Sequence, residues 1–194
     1  MVIKMEKRKK LEELYSQYEK DVADFKKSAV CVKGCADCCI DVGNIDITTL
    51  EGIIIHDRLA TFEEPLKSEI KARLAQNKME REKGRLSRCA FLKADKTCII
   101  YDIRPFSCRR LYSVRKCDGG SPTIHRQALN LASQTVKKIQ QLDFKGYSGH
   151  ISYILYLLDK EKFRKLYLRG KFKPQNIADF GQYHGILINR SVLP

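Results

Sequence analysis

No apolar run in this 194-residue chain approaches the roughly 20 residues that a membrane-spanning helix needs. Even Ile151-Ser152-Tyr153-Ile154-Leu155-Tyr156-Leu157-Leu158 ends at Asp159-Lys160-Glu161, so no membrane role is expected. The start, Met1-Val2-Ile3-Lys4-Met5-Glu6-Lys7-Arg8-Lys9-Lys10, has neither the apolar segment nor the small-residue cleavage site of a secretory leader. That absence predicts a reducing, cytoplasmic location, where disulfide frameworks are rare. Acidic charge is scarce: 23 Asp and Glu face 37 Lys and Arg, a formal net charge of +14. Low-complexity tracts are missing, and so are internal repeats beyond two groups of cysteines. The turn Asp118-Gly119-Gly120 could feed a phosphate-binding helix, but it lacks the Lys-Ser/Thr of a P-loop and the three-glycine spacing of a dinucleotide fold. Nothing nominates a general base.

What is present is cysteine, packed into one part of the chain. All eight cysteines lie between positions 31 and 117, and four of them stand within Cys31-Val32-Lys33-Gly34-Cys35-Ala36-Asp37-Cys38-Cys39. Thiols at this density serve a disulfide framework, a metal or iron–sulfur site, or a redox pair, and a reducing compartment favours the metal. Gly34 is the residue in this loop that can take a positive φ, as a metal knuckle requires. The second group comprises Cys89, Cys98, Cys108 and Cys117. Eight cysteines suffice for two four-thiol sites, and the side chains of the adjacent Cys38 and Cys39 tend to point apart, toward different sites. Zinc is commonly held by two Cys-x2-Cys knuckles, a spacing found here only at Cys35 and Cys38. Cubane clusters tolerate more varied spacing, with a close triplet and one distant ligand. Buried, unligated thiols are the alternative for one or two of the eight.

The cluster, then Cys89-Ala90-Phe91-Leu92, then Cys98-Ile99-Ile100-Tyr101-Asp102-Ile103-Arg104-Pro105-Phe106-Ser107-Cys108-Arg109, resembles the CxxCxxCC cysteine-cluster family of zinc- or iron-chelating domains, a broad group that includes flagellin lysine-N-methylases. The resemblance spans residues 31 to about 112. It implies a centre of zinc or iron, including a 4Fe-4S cluster, drawn from Cys31, Cys35, Cys38, Cys39, Cys89, Cys98, Cys108 and Cys117. Two departures stand out: three residues separate Cys31 from Cys35 where the family pattern has two, and Cys117 follows the motif. Cys35, Cys38, Cys98 and Cys108 match it without departure. The resemblance to the methylases implies methyl transfer from S-adenosylmethionine to lysine, although no separate cofactor motif is visible. The other readings are a structural metal in an interaction module, whose basic surface takes nucleic acid or an acidic protein, and a protein that stores or delivers metal.

Around the cysteines the chain reads as helix, with 43% hydrophobic and 31% charged residues, ordinary for a globular fold. Leu11, Leu14, Tyr15, Tyr18, Val22 and Phe25 make the stripe of an amphipathic helix over residues 4–27. The alternation over 40–47 predicts a short extended segment, interrupted at Gly43-Asn44. Thr48 or Thr49 caps a helix carrying Leu50, Ile53, Ile54 and Leu59. His56 in that helix reads as a surface or core-edge residue rather than a ligand. A helix from Glu63-Glu64-Pro65 to Lys83 buries Leu66, Ile70, Leu74 and Met79. Residues 89–117 lack a helical period and a continuous apolar face, so metal ligation is expected to order them. Asp102 and Arg104 offer themselves as a salt-bridged pair around the ligands. Ser121-Pro122 predicts the start of a helix reaching Leu142, and Ser148 or Gly149 that of the most apolar helix, to Arg169. The fold class follows: mainly α, about five helices in a single helical domain wrapped around an irregular cysteine-rich metal-binding region. Residues 1–28 form an N-terminal amphipathic helix, 29–170 the cysteine-cluster domain, and 171–194 a C-terminal arm.

Overall fold

The computed structural model describes residues 2–32, 34–40 and 45–173, so the Gly43-Asn44 interruption and the arm beyond Lys173 lie outside the described residues. The chain is mainly helical. In order it forms α1 (Val2–Asp21), α2 (Ala23–Lys26), α3 (Asp37–Ile40), β1 (Asp46–Thr48), α4 (Thr49–Leu59), α5 (Glu64–Glu82), a 3-10 turn (Tyr101–Ile103), α6 (Phe106–Arg109), α7 (Arg126–Leu142), β2 (Ser148–His150), α8 (Ile151–Asp159) and α9 (Glu161–Leu168). No helix among the described residues is long and apolar enough to cross a membrane.

Two apolar clusters organise the chain. In one, Leu11 and Tyr18 of α1 and Val22, between α1 and α2, meet Ala128, Ala132 and Ile139 of α7, where the two alanines bring the helix axes close. In the other, α8 supplies Ile151, Ile154, Leu155 and Leu158 against α4 and α5. α8 is apolar almost all round, which suits a helix at the centre of a bundle. Gly52 lets α4 approach it, since a Cβ there would stand 2.5 Å from Ile154 Cγ2 and 2.8 Å from Leu158 Cδ1. The strands β1 and β2 pair antiparallel, with Asp46 opposite His150 and Thr48 opposite Ser148.

Thr48 caps α4 through a reciprocal pair of bonds with Glu51, whose side chain takes the Thr48 amide at 2.8 Å. Glu51 is buried, and it also accepts from the Tyr15 hydroxyl at 2.6 Å and the Phe106 amide at 2.8 Å. One carboxylate therefore joins α1, α4 and α6.

Several sequence expectations need correction. The helix expected from Ser121-Pro122 begins at Arg126, because 121–125 is pulled alongside 113–114: Val114 N–H donates to Thr123 O at 3.0 Å and Thr123 N–H to Ser113 Oγ at 2.9 Å. The helix expected from Ser148 or Gly149 starts at Ile151, since Ser148–His150 is strand, and it breaks at Lys160. Lys160 is extended at ψ 110°, and Arg164 Nη1 caps the preceding carbonyls by donating to Leu158 O at 2.6 Å. Met79 is exposed, and Asn77 takes its place on the buried face of α5. The largest correction concerns residues 89–117: Phe91, Ile100 and Phe106 are at most 2% exposed. The wrap therefore carries apolar anchors of its own, because its side chains enter both apolar clusters.

Candidate metal centre

The cysteines are assembled by backbone bonds between distant parts of the chain. Phe91 to Ile99 forms a small hairpin in which Leu92 bridges Cys98, Lys93 N–H donates to Thr97 O at 2.9 Å and Ile99 N–H to Phe91 O at 2.9 Å. Asp95 fastens its tip, accepting from the Thr97 amide at 2.9 Å and hydroxyl at 2.6 Å, which hold its carboxyl down at about 2. Cys89 N–H then donates to Cys39 O at 2.8 Å, tying the hairpin to α3 and the first cysteine group. On the other side, Phe106 sits in the α1–α7 cluster while Cys108, two residues on, packs with Cys89 and Cys98 against the α4–α8 cluster. α6 is held in that pose by the Glu51 carboxylate and by Ser107 Oγ donating to Asp46 O.

All eight cysteines are free. Cys38 lies near enough to Cys39, Cys89, Cys98 and Cys108 to raise the cost of ionising each of them. Burial pushes Cys89 up to about 11 and Cys108 well above the usual thiol range, and it raises Cys98 as well. The neighbouring Cys39 thiol pulls Cys38 down to about 7, and Cys38 in turn pushes Cys39 up.

Arg104 is the counter-charge of this group. Its guanidinium stacks on the Tyr101 ring at 4.2 Å and favours the thiolates of Cys38, Cys98 and Cys108. Its Nε is buried without a hydrogen-bond partner among the described residues. Asp102 does not pair with it, contrary to expectation, but binds Arg58 at 2.6 Å. Pro105, as the first residue before α6, turns the chain after Arg104. Arg109 closes the turn from the far side, Nε to Arg104 O at 2.8 Å and Nη2 to Asp102 O at 3.2 Å, with its own guanidinium over Tyr15. The Arg-Pro-x-x-Cys-Arg motif is thus one folded unit in which the first arginine faces the thiols and the second staples the backbone.

Cys31 and Cys35 are exposed, and Cys31 Sγ accepts from Ser113 N–H at 3.3 Å. Gly34 has φ +89°, the positive value expected of it. His56 is no ligand: Nε2 faces Arg164 Nη1 at 3.3 Å, and it lines an apolar cavity of about 350 Å³ to which no cysteine contributes. Glu51 and Ser113, which place α6 and Cys31, were not singled out by sequence reasoning. The Thr48-x-x-Glu51 spacing was a signal for the first; a lone serine gave none.

Among the described residues, no three or more His, Cys, Asp or Glu side chains already stand as a metal-ligand set. The fit therefore rests on donor chemistry: five neighbouring soft donors, and a half-buried arginine whose Nε is buried without a hydrogen-bond partner among the described residues. Both suit a thiolate-bound zinc or iron centre. A family model, CxxCxxCC, described as "Putative zinc- or iron-chelating domain", matches residues 30–141, more than half the chain and the whole of its cysteine region. No curated protein and no solved structure gives a match.

Proposed function

We propose, from the premise that the chain belongs to the CxxCxxCC family of zinc- or iron-chelating domains, that it is a metalloprotein whose centre is drawn from Cys38, Cys39, Cys89, Cys98 and Cys108. The observation that carries this reading is Arg104: a half-buried cation beside three thiols, whose Nε is buried with no hydrogen-bond partner among the described residues, is better balanced when those thiols become thiolates. Metal ligation is what makes thiolates of buried cysteines at neutral pH. Zinc supplies a closed structural node there, whereas an iron–sulfur cluster adds electron transfer. The protein's own part is to hold the donors on two hydrogen-bonded loops, to offset their charge through Arg104, and to screen them with Phe91, Ile100 and Phe106. A lysine N-methylase activity is the finer form of this reading, supported by the resemblance to the flagellin enzymes. The charge of +14 supports the other form, an interaction module for an acidic protein or nucleic acid.

Anaerobic purification, with metal analysis and a visible spectrum, tests the centre. Wild-type protein is expected to carry zinc or iron, and Cys98→Ser or Cys108→Ser to lose it. Full metal content in both variants would refute the assignment. The loaded protein, incubated with labelled S-adenosylmethionine and a lysine-rich protein, separates a methylase from a chelating module. Binding of an anionic polymer at low salt tests the latter.

A further inference from the structure

The apolar cavity of about 350 Å³ beside His56 runs between α4, α5 and α8. Its α5 wall carries Lys67, Lys71, Leu74, Ala75, Lys78 and Met79, whose three- and four-residue spacing sets all six on one face of the helix. At 1.5 Å per residue that wall is about 18 Å long, so the space is a slot that suits an extended ligand better than a compact one. Leu59, Leu74 and Leu155 are buried and give it an apolar floor. Ala60 and Ala75 are exposed and too short to close it, and Met79 and Tyr156 remain 47% and 40% exposed at its edge. The volume is at the small end of the range that ligand pockets occupy.

Polar groups gather at one end of the slot. Lys71 of α5 pairs with Asp159 of α8 at 2.9 Å, and both line the cavity. Lys67 lies one turn earlier on the same wall. Its partner Glu64 is 74% exposed and outside the lining, a surface pair of the kind that contributes little and yields readily. Lys78, toward the other end, rests over the rings of Tyr156 and Tyr153 at 4.9 and 5.6 Å and pairs with Glu82, so its stem adds to the apolar wall. Arg164 Nη1 joins His56 Nε2 at 3.3 Å to Leu158 O at 2.6 Å, which holds His56 beside the end of α8 that carries Asp159. An arginine can only donate, so Nε2 accepts and Nδ1 bears the ring proton. That Nδ1 is buried without a hydrogen-bond partner among the described residues, with Asp57 Oδ1 standing 4.0 Å away. A buried donor left so is costly until an acceptor reaches it.

We propose that this slot binds a medium-chain carboxylate, a fatty-acid-like anion whose head group meets Lys67, Lys71 and His56 and whose tail lies along Leu74, Leu155 and Tyr156. Two ammonium groups face a single carboxylate, Asp159, at that end of the lining, and a ligand carboxylate supplies the missing charge as well as the acceptor for Nδ1–H. A neutral apolar molecule would leave both unanswered, and a small hydrophilic anion would leave the leucine floor uncovered. No cysteine lines the slot, so the proposal stands apart from the metal centre.

Isothermal titration of the full chain, as purified with its metal, tests this with three probes. Octanoate should bind saturably, with one site per chain. 1-Octanol keeps the tail but lacks the charge and should bind on the order of 10-fold more weakly, the worth of one charge-assisted hydrogen bond. Acetate keeps the charge but lacks the tail and should give no saturable heat over the same range. Ala75→Phe, at an exposed helical position, fills the slot and should abolish octanoate binding with metal content and helical circular dichroism unchanged. Lys67→Gln/Lys71→Gln should bind 1-octanol as wild type does and octanoate no better than 1-octanol. Wild type that gives no saturable heat with octanoate, or binds 1-octanol equally well, would overturn the proposal. So would wild-type affinity for octanoate in the lysine double variant or in a folded Ala75→Phe.

Discussion

At the scale of single residues, Asp143 and Arg104 govern how the protein answers to its surroundings. Asp143, at the end of α7, accepts from Leu50 N–H at 2.8 Å and from the Tyr167 hydroxyl at 2.7 Å. Burial nevertheless lifts its carboxyl from 3.8 to about 7, and a helix C-terminus is an unfavourable place for a negative charge. The folded chain therefore keeps a proton that the unfolded chain releases, and stability falls as pH rises from about 4 to about 7. Asp143→Asn retains an acceptor for Leu50 and a donor for Tyr167. It should flatten this slope and raise stability at pH 8 by on the order of a few kcal/mol; an unchanged denaturation profile from pH 4 to 8 would show that Asp143 is ionised in the fold. Arg104 acts on the thiols. Arg104→Gln should leave helical circular dichroism intact but speed metal loss to a chelator, with affinity down on the order of 10–100-fold, as for other residues that orient or balance ligands. Metal retained as in wild type would make Arg104 a stacking partner of Tyr101 and no more.

At the scale of elements, the contact between α4 and α8 decides the position of everything that leans on them. Gly52→Ala favours helix by up to about 1 kcal/mol. The added Cβ, however, would lie 2.5 Å from Ile154 Cγ2, on a fully buried side chain, and overpacking of this kind typically costs about 1–3 kcal/mol. The clash wins, and the melting temperature of Gly52→Ala should fall by several degrees, on the order of 2–8 °C. A variant as stable as wild type would mean that the helices part without loss. Since β1 precedes α4 directly and receives Ser107 at Asp46 O, separation of α4 from α8 should also loosen α6 and Cys108.

At the scale of the whole molecule, two apolar clusters stand on their own contacts, and Cys89, Cys98 and Cys108 pack against one of them. A chelator should therefore increase hydrogen exchange around residues 31–40 and 108–120 most, and less between Phe91 and Ile100, whose side chains are fixed in the core. Helices α1, α7, α4 and α8 should keep their protection. Ligation contributes on the order of 10–16 kcal/mol in zinc-type sites, enough to order loops of this length. Reductant alone should change nothing; if it raised exchange as the chelator does, disulfides would replace metal as the cross-link.

The sequence alone determined where the long helices form. Periodic stripes such as Leu11-Tyr18-Val22, and the Thr48 cap, report local geometry that three- and four-residue spacing encodes. The cysteine motif determined the family, since its spacing is a local property too. Helix ends at Arg126 and Lys160 were not legible, because they are set by Thr123 meeting Ser113 and Arg164 meeting Leu158 O, one partnership reaching across the chain and the other arising only after α8 has ended. The core role of residues 89–117 was hidden for a related reason: Phe91, Ile100 and Phe106 face different clusters, so no single periodicity marks them. Only the tertiary structure decided what each cysteine meets, since the Cys89 amide reaches across the chain to Cys39 O, Cys98 and Cys108 pack with Cys89 against one apolar cluster, and Cys31 takes the amide of Ser113. Long-range hydrogen bonds sort side chains that spacing counts as equivalent.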